Sequence, residues 1–254
     1  MASSSSFFPS LLIFSFLSLS CLATLPIPPT CERIECPTYD VLQSNDAYEI
    51  RRYNSSVWAS ASPVQEISIV EATRKVKLTL EAVMHFNNSF SSILTLSDEQ
   101  SLLSTVVYLF DYIQGKNKYN EKIEMTGPVI TEISPGDGPL CESTFEVSFF
   151  VPKKIWGNPP PAKGIHVQRW KPVYVAARRF SGFVSDSNVG EEAAALEASI
   201  ADTEWADAIE KSHGGGHASV FTVAQYNSPF EFDNRVNEIW FLFDLDSGMP
   251  AMPM

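Results

Sequence analysis

Two short patterns each occur twice in this chain, and that recurrence constrains the fold more than any other feature. Met125-Thr126-Gly127-Pro128-Val129 lines up with Tyr226-Asn227-Ser228-Pro229-Phe230, about a hundred positions later. Each reads as a strand, a small polar pair, a proline and an apolar residue. Upstream, Tyr48-Glu49-Ile50-Arg51-Arg52-Tyr53 resembles Val175-Ala176-Ala177-Arg178-Arg179-Phe180. The chain therefore reads as two copies of one unit: a strand with an Arg-Arg-aromatic end, a helix, a strand ending in proline, and a further strand.

The stretch Tyr112–Val129 sits at the centre of the first copy. Leu109, Phe110 and Ile113 have helical spacing. Gly115 and Asn117 are stop signals, because both tolerate the left-handed backbone that often ends a helix. Lys122 to Thr126 alternates like a strand, with Ile123 and Met125 on one face. Between Lys75 and Tyr108 no period is sustained, and the Asn87-Asn88-Ser89 and Ser91-Ser92 clusters are turn signals. Arg51 to Pro128 spans 77 positions and Arg178 to Pro229 spans 51, so the first copy carries an excess of 26. The segment 75–108 is accordingly an anomalous insertion, either a long surface excursion or translated intron.

The N-terminus reads as a leader. Residues 1–23 carry no charged side chain, Leu11 to Leu22 is apolar, and Cys21-Leu22-Ala23 offers small residues for cleavage after Ala23. That places the mature chain in the secretory pathway, extracellular or vacuolar, with no membrane span. Three cysteines then remain, Cys31, Cys36 and Cys141, enough for one disulfide; Cys31 with Cys36 is the preferred pair. Asn54-Ser55-Ser56 and Asn87-Asn88-Ser89 are acceptor sequences for N-glycans. The formal charge of −12 excludes nucleic acid as a partner, since phosphate contacts need a basic face.

A Pro-rich stretch (Pro26, Pro28, Pro29) precedes a series of short strands near Tyr39–Leu42, Tyr48–Tyr53 and Val57–Ala61. Glu66 to Lys75 reads as the start of a helix. Further strands follow at Phe145–Val151, Ile165–Gln168, Val173–Phe180, Val220–Tyr226 and Glu238–Phe243. Asp186, Ser187 and Asn188 offer caps for a second helix over Val189–Lys211. Residues 246–254 read as a flexible tail. Strands outnumber helices, so the class is α+β and mostly antiparallel.

One set of residues runs in order over almost the whole mature chain. It comprises Tyr48-Glu49-Ile50-Arg51, Trp58, Tyr112-Ile113-Gln114-Gly115-Lys116-Asn117, Ile123, Met125-Thr126 and Pro128-Val129. It continues through Pro135-Gly136, Gly138-Pro139, Pro159-Pro160, Phe180, Gly182, Tyr226, Pro229, Arg235, Asn237-Glu238 and Trp240. In these the chain resembles the SOUL heme-binding protein family. The resemblance implies a distorted antiparallel β-barrel with two helices, a pseudo-twofold internal repeat, and a domain over residues 24–245. In the family Glu71-Ala72-Thr73-Arg74 would run almost directly into Tyr112 to Gly115; here the insertion separates them.

The resemblance also implies a heme or other tetrapyrrole as reversible ligand, carried without catalysis. A porphyrin is a flat apolar disc with two carboxylates, so its site needs an apolar cleft with basic groups at the rim. The resemblance places Arg74 toward a propionate and Phe110, Ile113 and Phe230 on the apolar groove. The position after Phe230, which can be basic in the family, is Glu231 here. Some members carry a histidine where this chain has Arg52, so no axial histidine is expected by that route. His85, His166, His213 and His217 are poor substitutes, and Met125 and Tyr112 read as barrel core. Arg51-Arg52 and Arg178-Arg179 read as strand residues turned to solvent or to carboxylate partners. Glu238, beside Trp240, is the acid expected to be buried. Paired with Arg235 it is structural; with a raised pKa it would be the base of an alternative hydrolase function. A third alternative is a binding module for another small apolar molecule.

Overall fold

Alternating strands can bury one face only when other strands hydrogen-bond their edges, and here nearly all of them join one sheet. The computed structural model describes residues 25–66, 102–134, 143–213, 220–228 and 230–245. In chain order its elements are α1 (Thr30–Arg33), β1 (Tyr39–Ser44), β2 (Glu49–Tyr53), β3 (Ser56–Ala61), β4 (Val64–Glu66), α2 (Leu102–Ile113), β5 (Val129–Ser134) and β6 (Ser143–Phe150). There follow a 3₁₀ turn (Lys153–Ile155), β7 (Ile165–Trp170), β8 (Val173–Phe180), α3 (Asp186–Ile200), α4 (Ala206–Ser212), β9 (Phe221–Gln225) and β10 (Asn237–Phe243). The strands run β1-β2-β8-β10-β9-β5-β6-β3-β7, with β4 paired to β6. All pairings are antiparallel and the sheet curls into a half-barrel, as the α+β expectation requires.

Outward from the β9–β5 junction the order repeats: β10 matches β6, β8 matches β3, and β2 matches β7. The two units are β2-β3-α2-β5-β6 and β7-β8-α3-β9-β10. Each lends its first strand to the other, β2 to β8 and β7 to β3. The expected pseudo-twofold repeat is thus present in the topology, but the residues that suggested it are not equivalent. The strands matched by their Arg-Arg ends, β2 and β8, are hydrogen-bonded neighbours. The two proline motifs also differ, since Gly127-Pro128 leads into β5 while Tyr226 follows β9. Period-two strands with an aromatic end are generic, so they can match by composition without sharing a place in the fold.

Three local expectations change. Lys122–Thr126 forms no strand: among the described residues no strand pairs with it, and Ile123 N–H donates instead to the Ile113 carbonyl at the end of α2, at 2.8 Å; Met125 is 44% exposed and not core. Buried Asn117 shapes this turn: its Oδ1 accepts the N–H groups of Tyr119 and Glu121, and its Nδ2 donates to the carbonyls of Tyr112 and Glu121. Gly115, with φ of +102°, adopts the left-handed conformation expected of it. The second helix begins on Ser185, whose side chain forms a capping box with Asn188, and it breaks after Ile200. Thr203 turns its hydroxyl back to the Ile200 carbonyl, and buried Trp205 donates to Gln43 Oε1 at 2.6 Å, which draws the chain off the helical path. The third change is α2, which begins at Leu102, inside the segment without a readable period. Ser104-Thr105-Val106-Val107 are poor helix formers and conceal it. The rest of the insertion, Arg74, the Asn87 sequon, His85, Cys141 and His217 lie outside the described residues; Asn54 is exposed.

Strand alternation divides the buried residues into two faces. One packs Ile50, Val223, Ile239 and Phe241 against Leu109 and Ile113 of α2 and Leu196 and Ile200 of α3. The other packs Tyr53, Trp58, Phe150, Tyr226 and Trp240, and the segment that carries Cys31, Cys36 and Tyr39 lies against it. Cys31 and Cys36 are bonded, as expected. The clasp they close is held by Gly127 N–H to the Glu35 carbonyl, at 3.0 Å, and by Lys153 N–H to Glu35 Oε1, also at 3.0 Å. Among the described residues no helix is long and apolar enough to cross a membrane.

Cross-linking so short a loop restricts the unfolded chain modestly. Replacing Cys31 and Cys36 together by serine is expected to lower stability by about 2 kcal/mol in urea denaturation. An unchanged midpoint would show that the clasp adds nothing to the fold.

Candidate ligand groove and buried ion network

The groove residues expected from the sequence fall on two elements. Phe110 and Ile113 lie one turn apart on α2, Ile113 buried and Phe110 half-buried against the helix-side core. Tyr112, between them in sequence, is buried, and its hydroxyl has no hydrogen-bond partner among the described residues; burial pushes its pKa up to about 12. Phe230 is half-buried on the separate loop between β9 and β10, its N–H donating to Ser228 Oγ at 3.3 Å. Arg74, expected at the rim, falls outside the described residues.

The β9–β10 loop is folded around Glu231. Glu231 Oε2 accepts from Asn227 Nδ2 and Ser228 N–H, and Oε1 accepts from Arg33 Nη2 at 2.8 Å. The bond from Arg33 holds this carboxyl below its usual pKa. Arg235 donates through Nη1 to the carbonyls of Ser228 and Glu231 and stacks on Phe183 at 4.5 Å. It is therefore not the partner of Glu238. Phe183 in turn meets Phe232 edge-on at 5.9 Å, and both rings are exposed. Sequence reasoning missed the Phe183–Phe232 contact and the Arg33–Glu231 pair, because both join segments far apart in the chain.

Glu238 is fully buried, as anticipated, but its setting is the reverse of a base's. Glu238 Oε1 accepts from Arg51 Nη2 and from Nε and Nη2 of Arg179. Oε2 accepts from Arg51 Nη1, Tyr226 Oη and Trp240 Nε1, all at 2.7–3.1 Å. Burial alone would raise its pKa; the charge and hydrogen bonds of Arg51, then Arg179 and Trp240, outweigh that and bring it down to about 2. A second buried acid, Glu49, accepts from Arg51 Nε at 2.8 Å. Its Oε1 accepts from Leu25 N–H at 2.7 Å and Ser44 Oγ at 3.2 Å. Arg51 also lies 4.4 Å from the Tyr39 ring, and Arg179 Nη1 donates to the Pro26 carbonyl at 2.7 Å.

The arginine pairs thus do have carboxylate partners: Arg52 meets Asp40 at the surface, and Arg178 meets Glu192 of α3. The alternation Glu49-x-Arg51 and Glu238-x-Trp240 was the available signal for the buried set, since each places two polar-tipped side chains on one face. His166 pairs with Glu146 at 3.2 Å on an exposed strand, and His213 Nε2 lies 3.0 Å from the Leu242 carbonyl, its pKa lowered by burial. Among the described residues no group of three His, Cys, Asp or Glu side chains is arranged to hold a metal ion.

The comparison that decides the family is the match of the SOUL heme-binding protein profile to residues 34–242. The chain belongs to the SOUL heme-binding protein family. That match runs from the clasp through nearly all of β10. Similar proteins of this family are human heme-binding protein 2, 29% identical over 198 residues (77% of this chain, 78% of that one), and mouse heme-binding protein 2, 27% identical over 217 residues (83% and 87%). Solved structures that overlay on this one include the EcmrR C-terminal domain (TM-score 0.41, 11% identity, 82% of this chain and 99% of that chain). Another is a hydrolase from Listeria innocua (TM-score 0.33, 7% identity, 76% and 91%). Both likenesses are loose.

Because Glu238 has a depressed pKa in the fold, the stability it contributes is complete above the ordinary carboxylate range and is lost as pH falls toward about 2. Acid titration followed by tryptophan fluorescence is expected to show unfolding between about pH 4.5 and about pH 2. Glu238→Gln, which leaves two guanidiniums facing a neutral group, is expected to cost about 3–5 kcal/mol in chemical denaturation. A loss below about 1 kcal/mol would mean the ion network is not needed for the fold.

Proposed function

We propose that this protein is a reversible carrier or buffer for heme or a related tetrapyrrole, acting in the secretory pathway and without catalysis. The observation that carries this reading is the family match over residues 34–242, which takes in the sheet from β1 nearly to the end of β10. The relatives named heme-binding protein 2 extend the similarity over more than three quarters of this chain. The ligand class fits the residues that the resemblance assigns to a groove, Phe110, Ile113 and Phe230 for apolar contact and Arg74 for a propionate. Binding proceeds without an axial histidine, since the strand position that could supply one is Arg52, engaged with Asp40. The leader-like N-terminus and the Cys31–Cys36 bond both favour an oxidising compartment.

Of the two other readings, hydrolysis needs a carboxylate able to accept a proton near neutrality. Glu238 has six donors on its two oxygens and a pKa near 2, so it is a structural anion. A module for another apolar molecule would use the same groove.

Titration of the protein with hemin, followed at the Soret band, tests the proposal. Saturable one-to-one binding is expected, and His166→Ala should leave both affinity and spectrum unchanged. A folded protein that shows no saturable change would remove the tetrapyrrole and leave the apolar-ligand module. An affinity that collapses in His166→Ala would overturn ligand binding without histidine.

A further inference from the structure

Arg33 closes the four-residue helix α1, inside the loop bridged by Cys31 and Cys36. It ought to belong to the N-terminal clasp alone. Instead its guanidinium reaches a loop 198 residues away, where Nη2 meets Glu231 Oε1 at 2.8 Å. Glu231 stands between Phe230 and Phe232 in sequence. Phe232 is 60% exposed and touches Phe183, which is 49% exposed. The β9–β10 loop thus carries an exposed aromatic contact through Phe232 and, on the residue before it, an arginine from the clasp.

Among the described residues two guanidiniums bind this loop, Arg235 through its carbonyls and Arg33 through the Glu231 carboxylate, and they differ in kind. Arg235 is 5% exposed, stacks on Phe183 and gives its Nη1 donors to two backbone carbonyls. It builds the loop. The Arg33 side chain is 60% exposed, and Glu231 binds it through Nη2. A guanidinium has five N–H donors in a planar fork, so an incoming carboxylate can be met without displacing Glu231. Glu231 is itself fixed by Asn227 and Ser228, so it holds the arginine head in place at the rim. The disulfide limits the freedom of α1 from the other side.

We propose that Arg33, positioned by the Cys31–Cys36 clasp and by Glu231, supplies the cationic contact for a ligand carboxylate at the aromatic rim of the β9–β10 loop. The inference rests on the tetrapyrrole reading above and deepens it. Glu231, which stands where the family can carry a basic residue, thereby brings a cation to this loop. The cation comes from the other end of the chain. On a protein with a formal charge of −12, a local cation offsets part of the repulsion that an anionic ligand meets.

The test compares two probes that share a ring system: hemin, with two free carboxylates, and hemin dimethyl ester, with none. Each is titrated into the wild type, Arg33→Ala and Arg33→Lys. Because Arg33 is mostly exposed, both variants should fold, with thermal midpoints near that of the wild type. Arg33→Ala is expected to weaken hemin binding about three- to tenfold and to leave the ester unchanged, with Arg33→Lys in between. Equal affinities of wild type and Arg33→Ala for hemin would overturn the inference alone. So would an equal loss for hemin and ester, which would assign Arg33 a role in shaping the apolar surface. Absence of hemin binding by the wild type would overturn the tetrapyrrole reading and the inference with it.

Discussion

Arg51 bridges two buried carboxylates, and the second face of the sheet is built around that contact. Taking these charges out of water would be prohibitive singly; it is tolerable because each is met by an opposite charge and by further donors. Arg51 sits on β2, Glu238 on β10 and Arg179 on β8, three strands side by side in the sheet. A one-residue slip of any of them would turn its charged side chain to the helix-side core and strand its partners. The network therefore specifies the register at the place where β2, lent by the first unit, joins the second.

The same network ties the N-terminal clasp to the sheet. Glu49 takes the Leu25 N–H, and Arg179 gives to the Pro26 carbonyl. The clasp then runs past the aromatic cluster, is closed by its disulfide, and presents Arg33 to the β9–β10 loop. A charge placed for structural reasons in the sheet thus positions the segment that places another at the proposed groove. This continuity makes Glu238 an anchor for structure, with no free lone pair left for proton transfer.

The helix-side core obeys a simpler rule. α2 and α3 occupy equivalent places in the two units and pack apolar residues on the sheet. Their helical character was readable where spacing was regular, in Leu109-Phe110-Ile113 and around Leu196 and Ile200. It was not readable at the start of α2, where β-branched residues dominate, nor at the break before α4. There Trp205 gains a buried position and a bond to Gln43 that no local pattern announces.

The sequence by itself determined the class, most strand positions, the nearest-neighbour disulfide and the order of residues that marks the family, because all of these are written in local spacing or in direct residue matches. It also marked Glu238 as a buried acid, from its place beside Trp240 on an apolar strand. Which partners that acid would have was decided only by tertiary structure. Arg235 is close in sequence but is turned to the loop carbonyls, while Arg51 is 187 residues away and directly bonded. The equivalences of the internal repeat were likewise settled by strand exchange and not by the motifs that hinted at it. Arg33 became a candidate ligand contact for the same physical reason. Charge pairing acts through space, and a chain that folds back on itself brings together groups that no sequence window contains.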